Sequence, residues 1–540
     1  MVVHRAGVYG GASAPIGRRW SKCCSLTFLA YPLALLSGAL LALSFPRYGH
    51  PAFAWIALVP LLVALSGWRG RVEPLPAQPP LRAFTLGLTT GALYFIGTIY
   101  WTGTVVGTFG GLALPVALLA AVLLASYLAL FPALTALIVA RLVTRVGMGA
   151  LFLMPVAWVA TEFSRGYLFG GFPWVPLGNS QVTVLPVAQL ASVLGVYGLS
   201  VLVVFVNASL AYALLSRGRS RTIAIVATVV VLAGIGGWGA RRVADGSLTR
   251  EGTPFRVGLI QGNVAQEDKW NPGEARRIFT TYLAMTRDAA RRGAEFVIWP
   301  ESSTPFMFEE DEVGETAVRD LAREVQVPIL FGSDQVDRTG STVRLFNAAF
   351  LVTPDGETAA VYRKIHLVPF GEYIPLKRWL YFVSPLVERL AEFAPGTSMV
   401  MLPVGPHLVS TAICYEVVYP ALMRQAVAGG SQLLTTITND AWYGESSAPY
   451  QHFEMASMRA IEQGRYLARA ANTGISGVVD PYGRVVRRSA IFEQEGIVED
   501  VRLLTSRTIY SVIGDAIAYL SIALTVGALI AINRRRLRRA

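Results

Sequence analysis

The chain has 540 residues, of which 53% are hydrophobic and only 15% charged, and it carries a formal net charge of +12. Such an apolar excess excludes an ordinary soluble domain and a disordered chain. The positive balance would suit a nucleic-acid binder, but 17 of the 47 Lys and Arg residues flank apolar segments, so the charge reports membrane orientation and no nucleic-acid partner is expected.

In chain order, residues 1–26 form a basic, polar N-terminal segment that also holds Cys23 and Cys24, read as small hydrophobic fillers at a span boundary. Apolar, nearly charge-free stretches follow at 27–44, 52–66, 83–102, 112–140, 149–163, 188–215 and 222–240, with an eighth at 510–533. Each is at or near the ~20 residues a bilayer span needs, 52–66 and 149–163 being the shortest. The first reads as an uncleaved signal anchor, because the polar region before it is long and its removal would break the charge pattern. Alternate loops carry the basic residues: Arg69, Arg71 and Arg82, then Arg141 and Arg145, then Arg217, Arg219 and Arg221, and finally the basic tail at 534–540. The positive-inside rule then predicts seven transmembrane helices in a membrane domain over 27–240, an extramembrane domain over 241–509 on the outer side, an eighth helix over 510–533, and both termini in the cytoplasm.

From Pro254 to about Leu503 the texture changes to short β-branched runs alternating with amphipathic stretches, the pattern of an α/β domain. Strands are predicted at Phe255–Ile260, Phe296–Trp299, Pro328–Gly332, Ala348–Thr353, Val409–Cys414 and Leu433–Thr438. Helices are predicted at Glu274–Arg292, Thr316–Glu324 and Tyr450–Tyr466. Three chemically distinct residues close apolar runs: Glu301 after Val-Ile-Trp-Pro, Lys364 after Val-Tyr-Arg, and Cys414 after Ser-Thr-Ala-Ile. Side chains at strand ends converge from distant positions on a rigid edge. A carboxylate can take a thiol proton, an ammonium can lower the thiol pKa and stabilise an oxyanion, and a thiolate can attack a carbonyl; the backbone N–H of Tyr415 offers a second oxyanion donor. Cys414 has no cysteine partner in this domain, and neither His nor Cys shows metal-site spacing, so no metal and no cofactor is expected. A Cys-His dyad using His366 or His452 is the less favoured arrangement.

The motif Tyr362-Arg363-Lys364-Ile365-His366-Leu367-Val368-Pro369-Phe370-Gly371-Glu372-Tyr373, together with Trp-Pro-Glu-Ser at 299–302, Cys-Tyr-Glu at 414–416 and Asn-Asp-Ala-Trp-Tyr-Gly at 439–444, resembles the apolipoprotein N-acyltransferase family. That family is the membrane branch of the nitrilase superfamily. The resemblance implies a polytopic α-helical membrane protein of eight spans with an inserted nitrilase-like αββα sandwich, and a Glu-Lys-Cys triad of Glu301, Lys364 and Cys414. It further implies supporting or substrate-binding roles for Glu372, Tyr415 and Glu416, a mobile arm bearing Trp270, and an apolar approach lined by Val368 and Phe370. Tyr443, where Phe is expected, is a mild departure. The implied reaction moves an acyl chain from the sn-1 position of a phospholipid, phosphatidylethanolamine by expectation, to the α-amino group of the diacylglyceryl-cysteine of an apolipoprotein, by a ping-pong route through a Cys414 thioester. The implied setting is a monomer in the bacterial inner membrane with its catalytic domain in the periplasm. The alternative is a membrane-tethered amidase that hydrolyses its acyl-enzyme.

Overall fold

The apolar segments fold as helices in the computed structural model, which describes residues 29–66, 78–339, 343–369, 371–373 and 392–537. Cys23, Cys24 and Phe370 lie outside the described residues. Among the described residues four helices are long and apolar enough to cross a membrane: Leu114–Val146, Ala191–Leu215, the helix starting at Arg219, and the one starting at Ala516. A fifth span results if Pro80–Ile99 and Trp101–Thr108, bent by 55° at their junction, count as one. The other three predicted segments fall on shorter helices, Ala30–Ala42, Val59–Leu65 and Met154–Arg165, of 13, 7 and 12 residues. At 1.5 Å per residue none of these reaches the ~30 Å of a hydrocarbon core alone.

Close helix contact in the membrane half depends on small residues. A Cβ on Gly87 would sit 2.7 Å from Cα of Ala133, and one on Gly91 2.8 Å from Cα of Ala129, so Pro80–Ile99 and Leu114–Val146 touch through their backbones. Ala191–Leu215 is the buried centre of the bundle. Its Asn207 amide donates to Ala54 O and accepts the N–H of Leu58, both at 2.8 Å, satisfying backbone groups that lipid would leave unpaired. By contrast Ile223, Val226, Val229 and Val230 on the next helix are exposed, as side chains facing hydrocarbon would be.

Among the described residues twelve strands form the extramembrane half: β1 Thr253–Gln261, β2 Phe296–Ile298, β3 Ile329–Asp337, β4 Arg344–Val352, β5 Thr358–Arg363, β6 Leu402–Val404, β7 His407–Ile413, β8 Leu434–Thr438, β9 Leu467–Ala471, β10 Gly477–Val479, β11 Val485–Arg488 and β12 Glu495–Leu503. They make two six-stranded sheets, ordered β12-β1-β2-β3-β4-β5 and β11-β10-β9-β8-β7-β6. The sheets share one pairing pattern. In each, a short parallel trio (β1-β2-β3, or β7-β8-β9) is flanked by antiparallel strands. Alternation along β1 shows why the sheets stack: Val257 and Leu259 enter a core with Ile413, Ile437 and Ala468 of the other sheet, while Ile260 faces a second core with Ile278, Tyr282 and Val318 of the covering helices. Pro272–Arg291 and Glu312–Val325 cover the first sheet, and the second carries Pro420–Ala428 and Ala448–Gln463, giving the expected αββα order.

Ala448–Gln463 is buried almost along its whole length because it lies between its own sheet and the membrane half. Its Gln451 accepts Trp174 Nε1 at 2.7 Å and donates to Thr98 O at 3.1 Å, and its Glu462 accepts the N–H of Val196 at 2.8 Å.

Candidate active site

Glu301 sits on the turn after β2, where Pro300 ends the strand. The turn is tight against β3: a Cβ on Gly332 would fall 2.5 Å from Ser302 N and 2.7 Å from Glu301 Cα, so only glycine allows the approach. Ser302 takes a φ of 43° to make the turn. The Glu301 carboxylate is buried and receives Asn347 Nδ2 at 2.7 Å, Lys364 Nζ at 3.3 Å and the backbone N–H of Asn439 at 2.9 Å. Burial favours the neutral acid, but Lys364, Asn347, Lys269 and Asn439 together hold its pKa below the ordinary value. It is a carboxylate at neutral pH.

Lys364 follows β5 and is 1% exposed. Its ammonium donates to Glu372 Oε1 at 2.9 Å as well as to Glu301. Burial works against the charge, yet the two carboxylates overcome it and raise the pKa well above that of a free lysine. Glu372 is fixed in turn by Asn347 Nδ2 at 2.9 Å and the N–H of Val368 at 2.8 Å.

Cys414, at the end of β7, is buried and free, and its backbone adopts a φ of 53°, which a non-glycine residue rarely takes. The expected effect of Lys364, to lower the thiol pKa, is present but outweighed. Lys364 does pull the value down, but burial and the nearby Glu301 charge push it well above the ordinary thiol range, so the resting group is a protonated thiol beside an ionised carboxylate. Glu416 is a clamp: its Oε2 accepts the N–H of Ile413 at 2.7 Å, and its Oε1 accepts the N–H groups of Ile365 and His366 at 2.6 and 3.1 Å and the Tyr362 hydroxyl at 2.8 Å. It ties the Cys414 turn to the Lys364 segment. Burial raises its pKa to about 7 in spite of these donors.

The Tyr415 ring lies parallel to Trp174 of the membrane half, with centroids 6.3 Å apart and planes 13° apart. Val368 is half-buried beside Glu372, and Trp270 is 47% exposed at the rim. Next to Trp270, the buried Lys269 donates to the backbone O of Glu301 at 3.0 Å, and burial lowers its pKa to about 8 against the pull of Glu301. His366 stacks on Tyr419 at 4.3 Å rather than approaching the thiol. His452 is fully buried with Nε2 3.1 Å from the Cys414 backbone O and Nδ1 3.0 Å from Asp440 Oδ1, so its hydrogen bond reaches the main chain and not the sulfur.

Cys414, Asp440 and His452 have ligand-type atoms within 4.8 Å of one another. Both ring nitrogens of His452 are engaged, and the Arg469 guanidinium contacts Asp440 and the ring, which makes this a hydrogen-bonded support poorly suited to a cation. Lys269, Asn347, Asn439, Asp440 and Arg469 are thus members of the site to which the sequence assigned no role, and His452, weighed there as a dyad partner, bonds the Cys414 main chain instead. Asn439 and Asp440 stand inside the quoted motifs and Lys269 directly precedes Trp270; Asn347 and Arg469 carry no signal beyond being polar residues within strands.

Residues 37–209 match the family described as Apolipoprotein N-acyltransferase N-terminal domain, and residues 256–509 match Carbon-nitrogen hydrolase. The Apolipoprotein N-acyltransferase of Geobacter metallireducens is 38% identical over 499 residues, covering 91% of this chain and 93% of that protein. The one from Methylococcus capsulatus is 34% identical, covering 93% and 96%. Among solved structures, an amidase of the nitrilase superfamily from Nesterenkonia AN1 is similar at 22% identity and a TM-score of 0.37, covering 47% of this chain and 92% of that one. The match to full-length relatives at this identity assigns the chain to the apolipoprotein N-acyltransferase family, acyltransferases of the carbon-nitrogen hydrolase superfamily.

Proposed function

We propose that the chain transfers an acyl chain from the sn-1 ester of a phospholipid, phosphatidylethanolamine in the first instance, to the α-amino group of the diacylglyceryl-cysteine that begins an apolipoprotein. Glu301 takes the Cys414 proton as sulfur attacks the ester carbonyl, and Lys364 with the Tyr415 N–H receives the charge on the carbonyl oxygen. Collapse breaks the ester C–O bond, Glu301 returns the proton to the departing glycerol oxygen, and a lysophospholipid leaves a Cys414 thioester. The acceptor amine then attacks, Glu301 takes its proton, the C–S bond breaks, and the thiol is restored with that proton.

One observation carries this reading: Lys364 Nζ is held between Glu301 at 3.3 Å and Glu372 at 2.9 Å, at the strand ends from which the Cys414 turn also projects. A charge-neutralised base beside a protonated thiol suits proton transfer concerted with attack. Val368 and Phe370 are assigned to the apolar approach for the acyl chains, and Trp270 to an arm over the site. The chain works as a monomer with eight spans, divided at 26, 240, 509 and 533, in the inner membrane, with its catalytic domain periplasmic and both termini cytoplasmic. The loop charges support that orientation, and it leaves both lipid substrates anchored beside the site.

The test is incubation with defined phosphatidylethanolamine, alone and then with a diacylated peptide, followed by mass spectrometry. A Cys414 adduct of one acyl chain that disappears as N-acylated peptide forms is expected. Free fatty acid without N-acylated peptide would instead mark a hydrolase.

A further inference from the structure

The strained turn at Cys414 needs an external hold. A φ of 53° disfavours the turn on its own, and the direction of the Tyr415 N–H depends on it. In a trans peptide the carbonyl oxygen of one residue and the N–H of the next point in opposite directions. Whatever grips the Cys414 oxygen therefore aims the Tyr415 N–H.

His452 provides that grip. A carbonyl oxygen only accepts, so Nε2 of His452, 3.1 Å from the Cys414 O, carries a proton and donates it. Nδ1 stands 3.0 Å from Asp440 Oδ1 and 3.0 Å from Nη2 of Arg469, which also donates to Asp440 Oδ2 at 2.8 Å. Whichever of these groups Nδ1 engages, the acceptor-only Cys414 oxygen requires the proton on Nε2. Thr438 Oγ1 donates to Asp440 Oδ1 at 2.9 Å, and the Trp174 ring packs 5.5 Å from the imidazole. Asp440, His452 and Arg469 are fully buried, on the turn after β8, on the helix Ala448–Gln463 and in β9, so the chain of donors ends in rigid elements.

We propose that His452, backed by Asp440 and Arg469, is a positioning residue that aims the Tyr415 N–H at the carbonyl oxygen of the bound acyl group, so that this N–H and Lys364 stabilise the oxyanion together. The proposal rests on the acyl-enzyme reading of Cys414. It separates two reactions of the same sulfur. Attack on an ester builds an oxyanion, whereas alkylation by iodoacetamide displaces iodide and builds none.

The experiment uses the full-length protein in detergent, with Cys414 acylation by phosphatidylethanolamine and alkylation by iodoacetamide both followed by intact mass. His452→Leu should slow acylation by about 10²–10³-fold, the usual loss for one oxyanion donor, while alkylation stays within about threefold. His452→Gln, whose amide N–H stands in for Nε2–H and whose oxygen can accept from Arg469, should recover acylation to within about tenfold. His452→Asn, too short to reach, should not. An equal fall in both reactions, unchanged acylation in His452→Leu, or equal behaviour of the Gln and Asn variants would overturn the proposal. If wild-type protein is alkylated but never acylated, the acyl-enzyme reading itself fails and takes this one with it.

Discussion

The backbone N–H of Asn439, at the end of β8, donates to Oε2 of Glu301, at the end of β2, across the gap between the two sheets at 2.9 Å. The same Asn439 donates from Nδ2 to Gln266 on the loop that carries Trp270, at 2.6 Å, and accepts from Asn472 at 3.0 Å. One residue therefore links the carboxylate, the rim loop and the second sheet, and the position of Glu301 depends on both halves of the sandwich.

Replacing Glu301 by Gln removes the proton acceptor and also a negative charge that raises the thiol pKa. Acyl transfer should fall by about 10²–10⁴-fold. The pH midpoint of Cys414 alkylation by iodoacetamide should move down, since burial would then be opposed by Lys364 without Glu301. A midpoint unchanged or raised would show that Glu301 does not act on the sulfur.

Asn347→Leu takes one donor from each of two buried carboxylates, Glu301 and Glu372. Unpaired buried acceptors of this kind cost about 1–3 kcal/mol, so the melting temperature in detergent should drop by several degrees and kcat should fall more than KM rises. Equal stability and turnover would mean that Lys364 alone organises the pair.

Gly332→Ala places a Cβ 2.5 Å from Ser302 N, against backbone that cannot rotate away. The Glu301 turn must shift, with a cost of about 1–3 kcal/mol, and acylation should fall by an order of magnitude or more while the protein still inserts in the membrane. Turnover at the wild-type rate would show that the turn is not set by β3.

The Asp440 pKa is lowered to about 2: burial works to raise it, but Arg469 and His452 overcome that. A depressed carboxylate contributes stability that is present above the unfolded value near 3.9 and lost as pH falls through the folded value. Asp440→Asn also leaves Arg469 buried without its anion, so at pH 7 it should destabilise by about 3–5 kcal/mol. The gap in melting temperature between wild type and variant should narrow as pH drops from about 4 toward 2. A gap that stays constant over that window would place the stabilisation elsewhere.

The residues proposed to act through their own chemistry were legible in the sequence. Glu301, Lys364 and Cys414 each close an apolar run, and the structure brings all three to one end of the sandwich. The six strands expected were found, with β3 and β4 longer because Ser333, Asp334, Gln335 and Asn347 are buried polar residues that alternation scores as surface. β9 hid behind Arg469, a charge in a strand centre that makes sense only once Asp440 is beside it. β11 is exposed throughout, and β12 alternates charged with apolar residues, so neither carries a core pattern. The supporting polar network was illegible for a related reason: an Asn or His bonded to a main-chain atom far away in sequence leaves no periodic trace. The membrane half was read by composition, which finds apolar segments but not their helix lengths. Met154–Arg165 illustrates this, ending in buried Glu162 and Arg165 that bond to the 174–177 segment.

The burial of Ala448–Gln463 on both sides bears on how the two halves relate as inheritable units. Its Gln451 and Glu462 spend their hydrogen bonds on Trp174, Thr98, Pro46 and Val196, all of the membrane half. A sandwich cut free at its own first and last strands would carry a carboxylate and an amide evolved for partners it no longer had, and Tyr415 would lose the aromatic wall beside Cys414. On the proposed reading the membrane half belongs to the reaction centre, and substitutions around Trp174 count as changes to the enzyme's chemistry.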